Sequence, residues 1–187
     1  MKYSYRKSAF EKEKSYELTQ TGIKVVDHEG NESLTAYSDI TEVNPSFVST
    51  KNSSFYQCKV KVSSEPERLF KSQHYKGLAN FENRNEDYSE FVKGLHKILN
   101  ATNFKIKFKK GVSPIAYILS MVVFVIAGLL FPIMSIFLLI GGQIIYGSVG
   151  VLASVLLIYR MLNYTKRNKP GTYLANAVPG NLLPTKK

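Results

Sequence analysis

Three hydrophobic patterns succeed one another along the chain. Up to about residue 83, apolar and polar positions alternate over short runs separated by turn residues, the signature of half-buried strands. Tyr3 and Tyr5 begin it, and Glu11-Lys12-Glu13-Lys14 interrupts it as a solvated turn. Lys14 to Thr19 resumes it with Tyr16 and Leu18 on one face, and Thr21-Gly22 turns the chain into Ile23-Lys24-Val25-Val26. His28-Glu29-Gly30-Asn31 is the next turn, followed by a strand from Ser33 to Tyr37. Glu42 to Ser49 reads as a further strand in which Pro45, with no N–H to donate, calls for an edge or a bulge. The cleanest alternation sets Tyr56, Cys58, Val60 and Val62 against Gln57, Lys59 and Lys61. Ser63-Ser64-Glu65-Pro66 then turns into a strand from Arg68 to Tyr75.

The period next becomes that of a helix. Tyr88, Phe91, Val92, Leu95, Ile98 and Leu99 share one face, Asn85 is the predicted N-cap, and Glu86 and Asp87 follow in the first turn, where the helix dipole favours negative charge. Lys93 and Lys97 sit towards the other end, and Asn100 is the predicted terminator. Gly94 costs about 1 kcal/mol relative to alanine in an exposed helix, so its presence points to close packing on a sheet. Many short antiparallel strands closed by one amphipathic helix predict an α+β fold. The expectation is a pleckstrin-homology-like (PH-like) antiparallel β-barrel over residues 1–104.

The third pattern runs from Gly111 to Tyr159, 49 residues without a charged side chain. At about 1.5 Å per residue it would make roughly 70 Å of helix, against a hydrocarbon core of about 30 Å. One span is too few, and three would leave about 16 residues each, short of the usual 20 or so. Two spans fit, and because lipid offers backbone groups no partner, they should be helices. The expected spans are 113–131 and 142–162; Pro132 to Gly141 extends a helix, dips into the bilayer or lies at its far interface. Ser113, Ala116, Ser120 and Ala127 share one face of the first, and Gln143, Gly147, Gly150 and Ser154 one face of the second. Small stripes let helix backbones approach closely in lipid, so these two are expected to face each other, with the Gln143 amide bonding across. A hairpin turning within 132–141 brings Ser120 and Gly150 to comparable depths.

Charge then places the ends. The net charge is +11, but all 14 acidic residues precede Phe91, and 15 basic residues up to Phe104 nearly cancel them. The other ten are Lys105, Lys107, Lys109, Lys110, Arg160, Lys166, Arg167, Lys169, Lys186 and Lys187, flanking the apolar stretch or in the tail. That distribution is a topology signal rather than a nucleic-acid stripe, and basic flanks on both sides put both termini in the cytoplasm. Met1-Lys2-Tyr3-Ser4-Tyr5 has no apolar core, so no secretory signal is expected. Phe104 to Lys110 alternates apolar residues with lysine, as a strand or a connector at the membrane surface. Lys105, Lys107, Lys109 and Lys110, with Arg160, Lys166 and Arg167, are the candidate contacts to lipid headgroups. Arg160 to Lys169 is the inner anchor; Lys169-Pro170-Gly171 ends any helix, and within the cytoplasmic Pro-containing tail set at 163–187, Pro179-Gly180 and Pro184 keep the part after Gly171 extended or disordered. Asn181-Leu182-Leu183-Pro184 within it is either a docking peptide or part of that flexible tail.

Several phrases resemble an uncharacterised family of bacterial membrane proteins: Tyr16-Glu17-Leu18-Thr19, Gly22-Ile23, Tyr37-Ser38-Asp39-Ile40 and Tyr56-Gln57-Cys58-Lys59-Val60, then Ser72-Gln73-His74-Tyr75 and Tyr88-Ser89-Glu90-Phe91-Val92. The resemblance covers nearly the whole chain. It implies a PH-like N-terminal domain, two membrane helices and a short Pro-containing tail, and it implies no activity. Many PH domains carry a tryptophan in the closing helix; this chain has none, and Phe91 is expected to fill that space.

Catalytic and cofactor chemistry is thinly represented. His28, His74 and His96 fall in a turn, a strand and a helix without ligand spacing, and no HExxH or CxxC pattern occurs, so no metal or cofactor is expected. Cys58, the single cysteine, lies on the apolar face of its strand and reads as a buried structural thiol. Gly141-Gly142 lacks the Lys-Ser/Thr of a phosphate loop. Arg6, Lys7, Lys12 and Lys14 stand where phosphoinositide-binding PH domains place basic residues, but Glu11 and Glu13 interleave them and make a solvated face the expectation. The expected function is a non-catalytic, membrane-anchored interaction module at the inner face of a cell membrane, with lipid and a protein as partners. The alternatives are an accessory subunit using the hairpin as its interface, and a small oligomeric channel or carrier, against which the absence of intramembrane charge counts.

Overall fold

A computed structural model describes residues 1–49, 54–63, 66–78, 80–102 and 104–184; Ser64 and Glu65 of the expected turn, and Lys186 and Lys187 of the basic tail, lie outside them. The fold is mixed α+β and divides into two compact units, Met1–Gly111 with Gly171–Lys187, and Val112–Pro170.

In the first unit the alternating N-terminal runs form an antiparallel meander of β1 (Lys2–Tyr5), β2 (Lys14–Leu18), β3 (Gly22–Val26) and β4 (Glu32–Ala36), in chain order across the sheet. Asp27 closes the turn before β4 by accepting the N–H groups of Glu29 and Asn31 at 2.9 Å each. A short 3-10 turn, Tyr37–Asp39, leads into β5 (Ile40–Ser49), which pairs with β6 (Ser54–Val62), and β6 pairs with β7 (Arg68–Lys71). Here the expected strand from Arg68 to Tyr75 proves to be two. Ser72 is buried, its Oγ accepts the Tyr56 N–H at 3.0 Å and its own N–H donates to the Tyr56 carbonyl at 2.8 Å, so the chain leaves the sheet there. It continues as β8 (Gln73–Gly77), which makes a separate hairpin with β9 (Asn80–Asn83), a strand without a clear sequence pattern.

The amphipathic helix is α1 (Asn85–Ala101). Asn85 is its first residue rather than its cap: Arg84 occupies the cap position, and the Asn83 side-chain oxygen accepts the Asn85 N–H at 3.0 Å. Phe91 and Val92 are fully buried, and the Phe91 ring lies 5.5 Å from Tyr3 in the first sheet and 5.0 Å from Phe70 in the second, centroid to centroid. A Cβ on Gly94 would come 2.9 Å from Met1 Sδ and 3.3 Å from Leu18 Cδ1, the close approach its position implied.

After the helix, β10 (Lys107–Lys110) runs parallel to β5, and β11 (Gly171–Thr172) pairs antiparallel with β10, giving the sheet order β11-β10-β5-β6-β7. β10 pairs with β5 only at Glu42 and Val43, so Pro45 sits past the end of that ladder, where its missing N–H deprives no neighbour in β10. The expected closed barrel does not form among the described residues. Across the gap between β1 and β7 the contacts are side chain to backbone: the Tyr3 and Tyr5 hydroxyls donate to the carbonyls of Lys71 and Leu69. Side chains thus cover the end strand's free carbonyls where a barrel would run another ladder.

The second unit is a pair of helices, α2 (Pro114–Ile140) and α3 (Ile144–Asn168). Both are longer than the expected 113–131 and 142–162, and Pro132 to Ile140 simply continues α2. Pro132 offers no N–H to the carbonyl four residues back, which neighbouring hydroxyls and helices can tolerate at membrane depth. Three residues turn the chain: Gly142 takes φ +77°, and the Gly141 and Gln143 N–H groups donate to Phe137 and Leu138. At 27 and 25 residues each helix is roughly 40 Å long, and both are long and apolar enough to cross a membrane.

Candidate functional site

The hairpin seam is built from small residues and back-bonded hydroxyls. Gly147 lies against Leu139, whose Cγ would be 2.5 Å from an added Cβ, Gly150 lies against Ser135, and Gly128 faces Met161. Phe124 meets Tyr164 edge to face at 5.5 Å, and Thr165 Oγ1 is 3.6 Å from Met121 Sδ. Ser135 and Ser154 are buried in the seam, and each hydroxyl donates to the carbonyl four residues back, Phe131 and Gly150, at 2.8 and 2.7 Å. No hydroxyl hydrogen is therefore left bare in an apolar contact.

This register moves several expected residues. Ser120 and Ala127 are half-buried on the α2 side, but Ser113 and Ala116 are exposed. Ser113 caps α2 instead, its Oγ accepting the Ala116 N–H at 3.3 Å. Gln143 is exposed in the turn, at the cap position of α3, and among the described residues its amide makes no bond across the seam. Because the turn lies at 141–143 rather than within 132–141, Gly150 is level with Ser135, and Ser120 stands about 22 Å further along α2.

The basic strand proves to be structural on one face. Phe108 of β10 packs against the core while Lys107 and Lys109 point outward. Lys109 is not free for a headgroup: its Nζ lies 2.6 Å from Glu42, which Lys61 also approaches at 3.6 Å. Burial disfavours charge on Glu42, but the Lys109 hydrogen bond and the two lysine charges outweigh it and hold the carboxyl below its ordinary range. Lys110 folds over Gly171, where an added Cβ would come 2.8 Å from its Cε. Lys105 and Lys107 are exposed, without an ion pair among the described residues. Arg160, Lys166 and Arg167 lie in the last three turns of α3, Arg160 and Lys166 exposed.

The tail returns to the first unit: of the expected alternatives it takes the extended course, and Leu182-Leu183 is docked rather than flexible. Tyr173 donates its N–H to Phe108 at 3.1 Å, and Leu182 and Leu183 are buried at 1% and 5% exposure. His96 of α1, fully enclosed, joins this seam. Its Nδ1 is 2.7 Å from the Val92 carbonyl, which can only accept, so Nδ1 carries the proton and Nε2 accepts the Tyr173 hydroxyl at 2.6 Å. Burial lowers the His96 pKa, which fits this neutral tautomer. The sequence pattern did not single out His96 or Tyr173. The signal for docking was the adjacent pair Leu182-Leu183, with Tyr173, Leu174 and Val178 earlier in the same Pro-containing segment.

Nucleophilic chemistry finds no purchase at Cys58. It is fully buried, and burial pushes its thiol up to about 12, so no thiolate exists at neutral pH. Among the described residues no three His, Cys, Asp or Glu side chains gather as a metal site would need. Comparison of the chain with known protein families, with curated proteins and with solved structures gives no match.

Proposed function

We propose that this chain is a non-catalytic, membrane-anchored interaction module. A PH-like domain is held at the inner face of a cell membrane by a two-helix hairpin, both termini are cytoplasmic, and the domain binds protein or lipid there. The observation that carries the proposal is the tail. Residues before α2 and residues after α3 build one compact unit with a shared core, so the hairpin leaves and re-enters the same folded body. That body stays on one side of a bilayer, which requires an even number of crossings, and the basic flanks assign that side to the cytoplasm.

The PH-like assignment is supported by a four-stranded meander, a second antiparallel set β5-β6-β7, and a helix whose Phe91 wedges between the two sheets. The subunit alternative is weakened by the hairpin itself, because Gly147, Gly150 and Ser154 are consumed against α2. The test is cysteine accessibility in a Cys58→Ala background. Phe10→Cys and Leu174→Cys, both at exposed positions, should react with a membrane-impermeant maleimide only after permeabilisation, and Gln143→Cys should react from outside. Labelling of the first two from opposite sides would overturn the hairpin.

A further inference from the structure

Where the tail crosses α1 it leaves two open hollows, of about 550 and 400 Å³, which share Asn100, Ala175 and Asn176 in their walls. Their basic lining is Lys93 and Lys97 from α1 and Lys107 and Lys109 from β10. Three stretches wall them: the second half of α1, residues 104–110, and the tail from Gly171. Every one of these stretches follows Glu90, the last acidic residue in the sequence, so none carries an acidic side chain among the described residues. Two acidic side chains border these stretches: Glu90, three residues before Lys93 on α1, and Glu42, whose carboxylate is committed to Lys109 and Lys61. Lys93, Lys97 and Lys107 are exposed and carry no ion pair among the described residues.

Like charges gathered around a concave, partly apolar surface focus a positive potential on it, and unpaired ammonium groups beside amide side chains suit a phosphate oxyanion. The rim is apolar as well: Phe104 and Leu174, each in the lining of the larger hollow, are 46% and 72% exposed. We infer that the hollows between α1 and the docked tail form one binding site for a phosphate group, with an anionic phospholipid as its source. The ammonium groups of Lys93, Lys97 and Lys107 and the amides of Asn100 and Asn176 hold the phosphate and glycerol oxygens. Phe104 and Leu174 meet the first carbons of the acyl chains. This deepens the tethered-module reading by naming its lipid ligand, and it rests on that reading for the nearness of a bilayer. The bilayer is close in sequence, since β10 ends one residue before Gly111 and β11 begins one residue after Pro170.

The test uses the full chain in a neutral detergent, titrated with dihexanoyl phosphatidylglycerol, with dihexanoyl phosphatidylcholine, and with glycerol phosphate as the free phosphoester. The expected result is saturable binding of phosphatidylglycerol and none of phosphatidylcholine. Lys93→Gln/Lys97→Gln should weaken it about tenfold or more, because one charge-assisted hydrogen bond carries about that factor. Lys12→Gln/Lys14→Gln removes the same charge away from the hollows and should change binding less than about twofold, as general screening alone would. Binding of glycerol phosphate as tight as that of the lipid, with the same response to the variants, upholds the phosphate site and makes a soluble phosphoester its source. Equal binding of the two lipids, or equal weakening by the two double variants, overturns the site. Membrane integration is measured on the same proteins by carbonate extraction: release into the carbonate supernatant overturns the tether, and failed headgroup binding with integration intact overturns the site alone.

Discussion

Leu183 is the place to test whether the tail is part of the folded core. It is 5% exposed and belongs to the same core cluster as Phe70 and Phe91, in a segment separated along the chain from the rest of its unit by two long apolar helices. The perturbation is best made in a water-soluble version of the first unit. Lys110 and Gly171 are cross-strand partners in an antiparallel pair, so an Asn-Gly loop of the hairpin-favouring type can replace residues 111–170 without disturbing either strand. Leu183→Ala in that chain removes most of a buried aliphatic side chain, and such changes cost about 2–5 kcal/mol in transfer and cavity terms. There is a ceiling, however: the loss cannot exceed the free energy with which the tail docks, because beyond that point the tail would let go. A loss in the full range therefore requires the tail to fold with the sheets as one cooperative body. Urea unfolding followed by far-UV circular dichroism and tyrosine emission reads both quantities. With a slope of about 1–3 kcal/mol per molar in urea, the midpoint should fall by about 1–2 M while the slope is unchanged. A loss below about 0.5 kcal/mol, or a biphasic curve in which the tail leaves first, would refute a shared core.

Phe91→Ala in the same soluble chain should cost about 3–5 kcal/mol, because its ring fills the space between the two sheets; a change below about 0.5 kcal/mol in the urea midpoint analysis would contradict that position. In a Cys58→Ala background, Ser135→Cys with Gly150→Cys should crosslink within one full-length chain, whereas Ser120→Cys with Gly150→Cys should not, and the reverse pattern would discredit the hairpin register. Gly150→Ile should lower the thermal resistance of the hairpin in detergent while leaving insertion intact, and Val151→Ile, on an exposed face, should be nearly silent in the same melt. His96 has a folded pKa below the ordinary 6.5, so the unfolded chain binds the extra proton and stability should fall as pH drops below about 6.5. His74 is shifted the same way by burial and adds to that slope, so the comparison is His96→Gln against His74→Gln: each should flatten part of the pH 5–7 stability profile, and an unchanged profile in His96→Gln would place His96 outside the core.

The local pattern of the chain decided the kind of element almost everywhere. Alternation over Tyr56 to Val62 became β6, the helical period from Tyr88 to Leu99 became α1, and the uncharged stretch became two long apolar helices. These are properties of a residue and its near neighbours, since side-chain direction repeats every two positions in a strand and every 3.6 or so in a helix. The same local logic found Gly94 at a close approach and Lys169-Pro170-Gly171 at the end of α3.

Tertiary structure decided what each element meets, and that depends on residues far apart in sequence. Nothing within a few positions of Ser72 announces that Tyr56, sixteen residues earlier, will take both its donor and its acceptor and so break one expected strand in two. Where a barrel would close between β1 and β7, the hydroxyls of Tyr3 and Tyr5 reach the carbonyls of β7, a side-chain contact that strand periodicity does not encode. The hairpin turn was hidden because every residue from Pro132 to Gly142 except Ser135 is apolar or glycine, and an apolar residue suits a helix and its continuation equally. A positive φ at Gly142 marks the turn only once the backbone is seen. The tail is the clearest division. Its prolines and glycines gave an extended course, yet Tyr173, Val178, Leu182 and Leu183 carry its docking, and so few scattered apolar residues make no period. Only the surface of the folded first unit buries Leu182 and Leu183 and brings the half-buried Tyr173 onto His96.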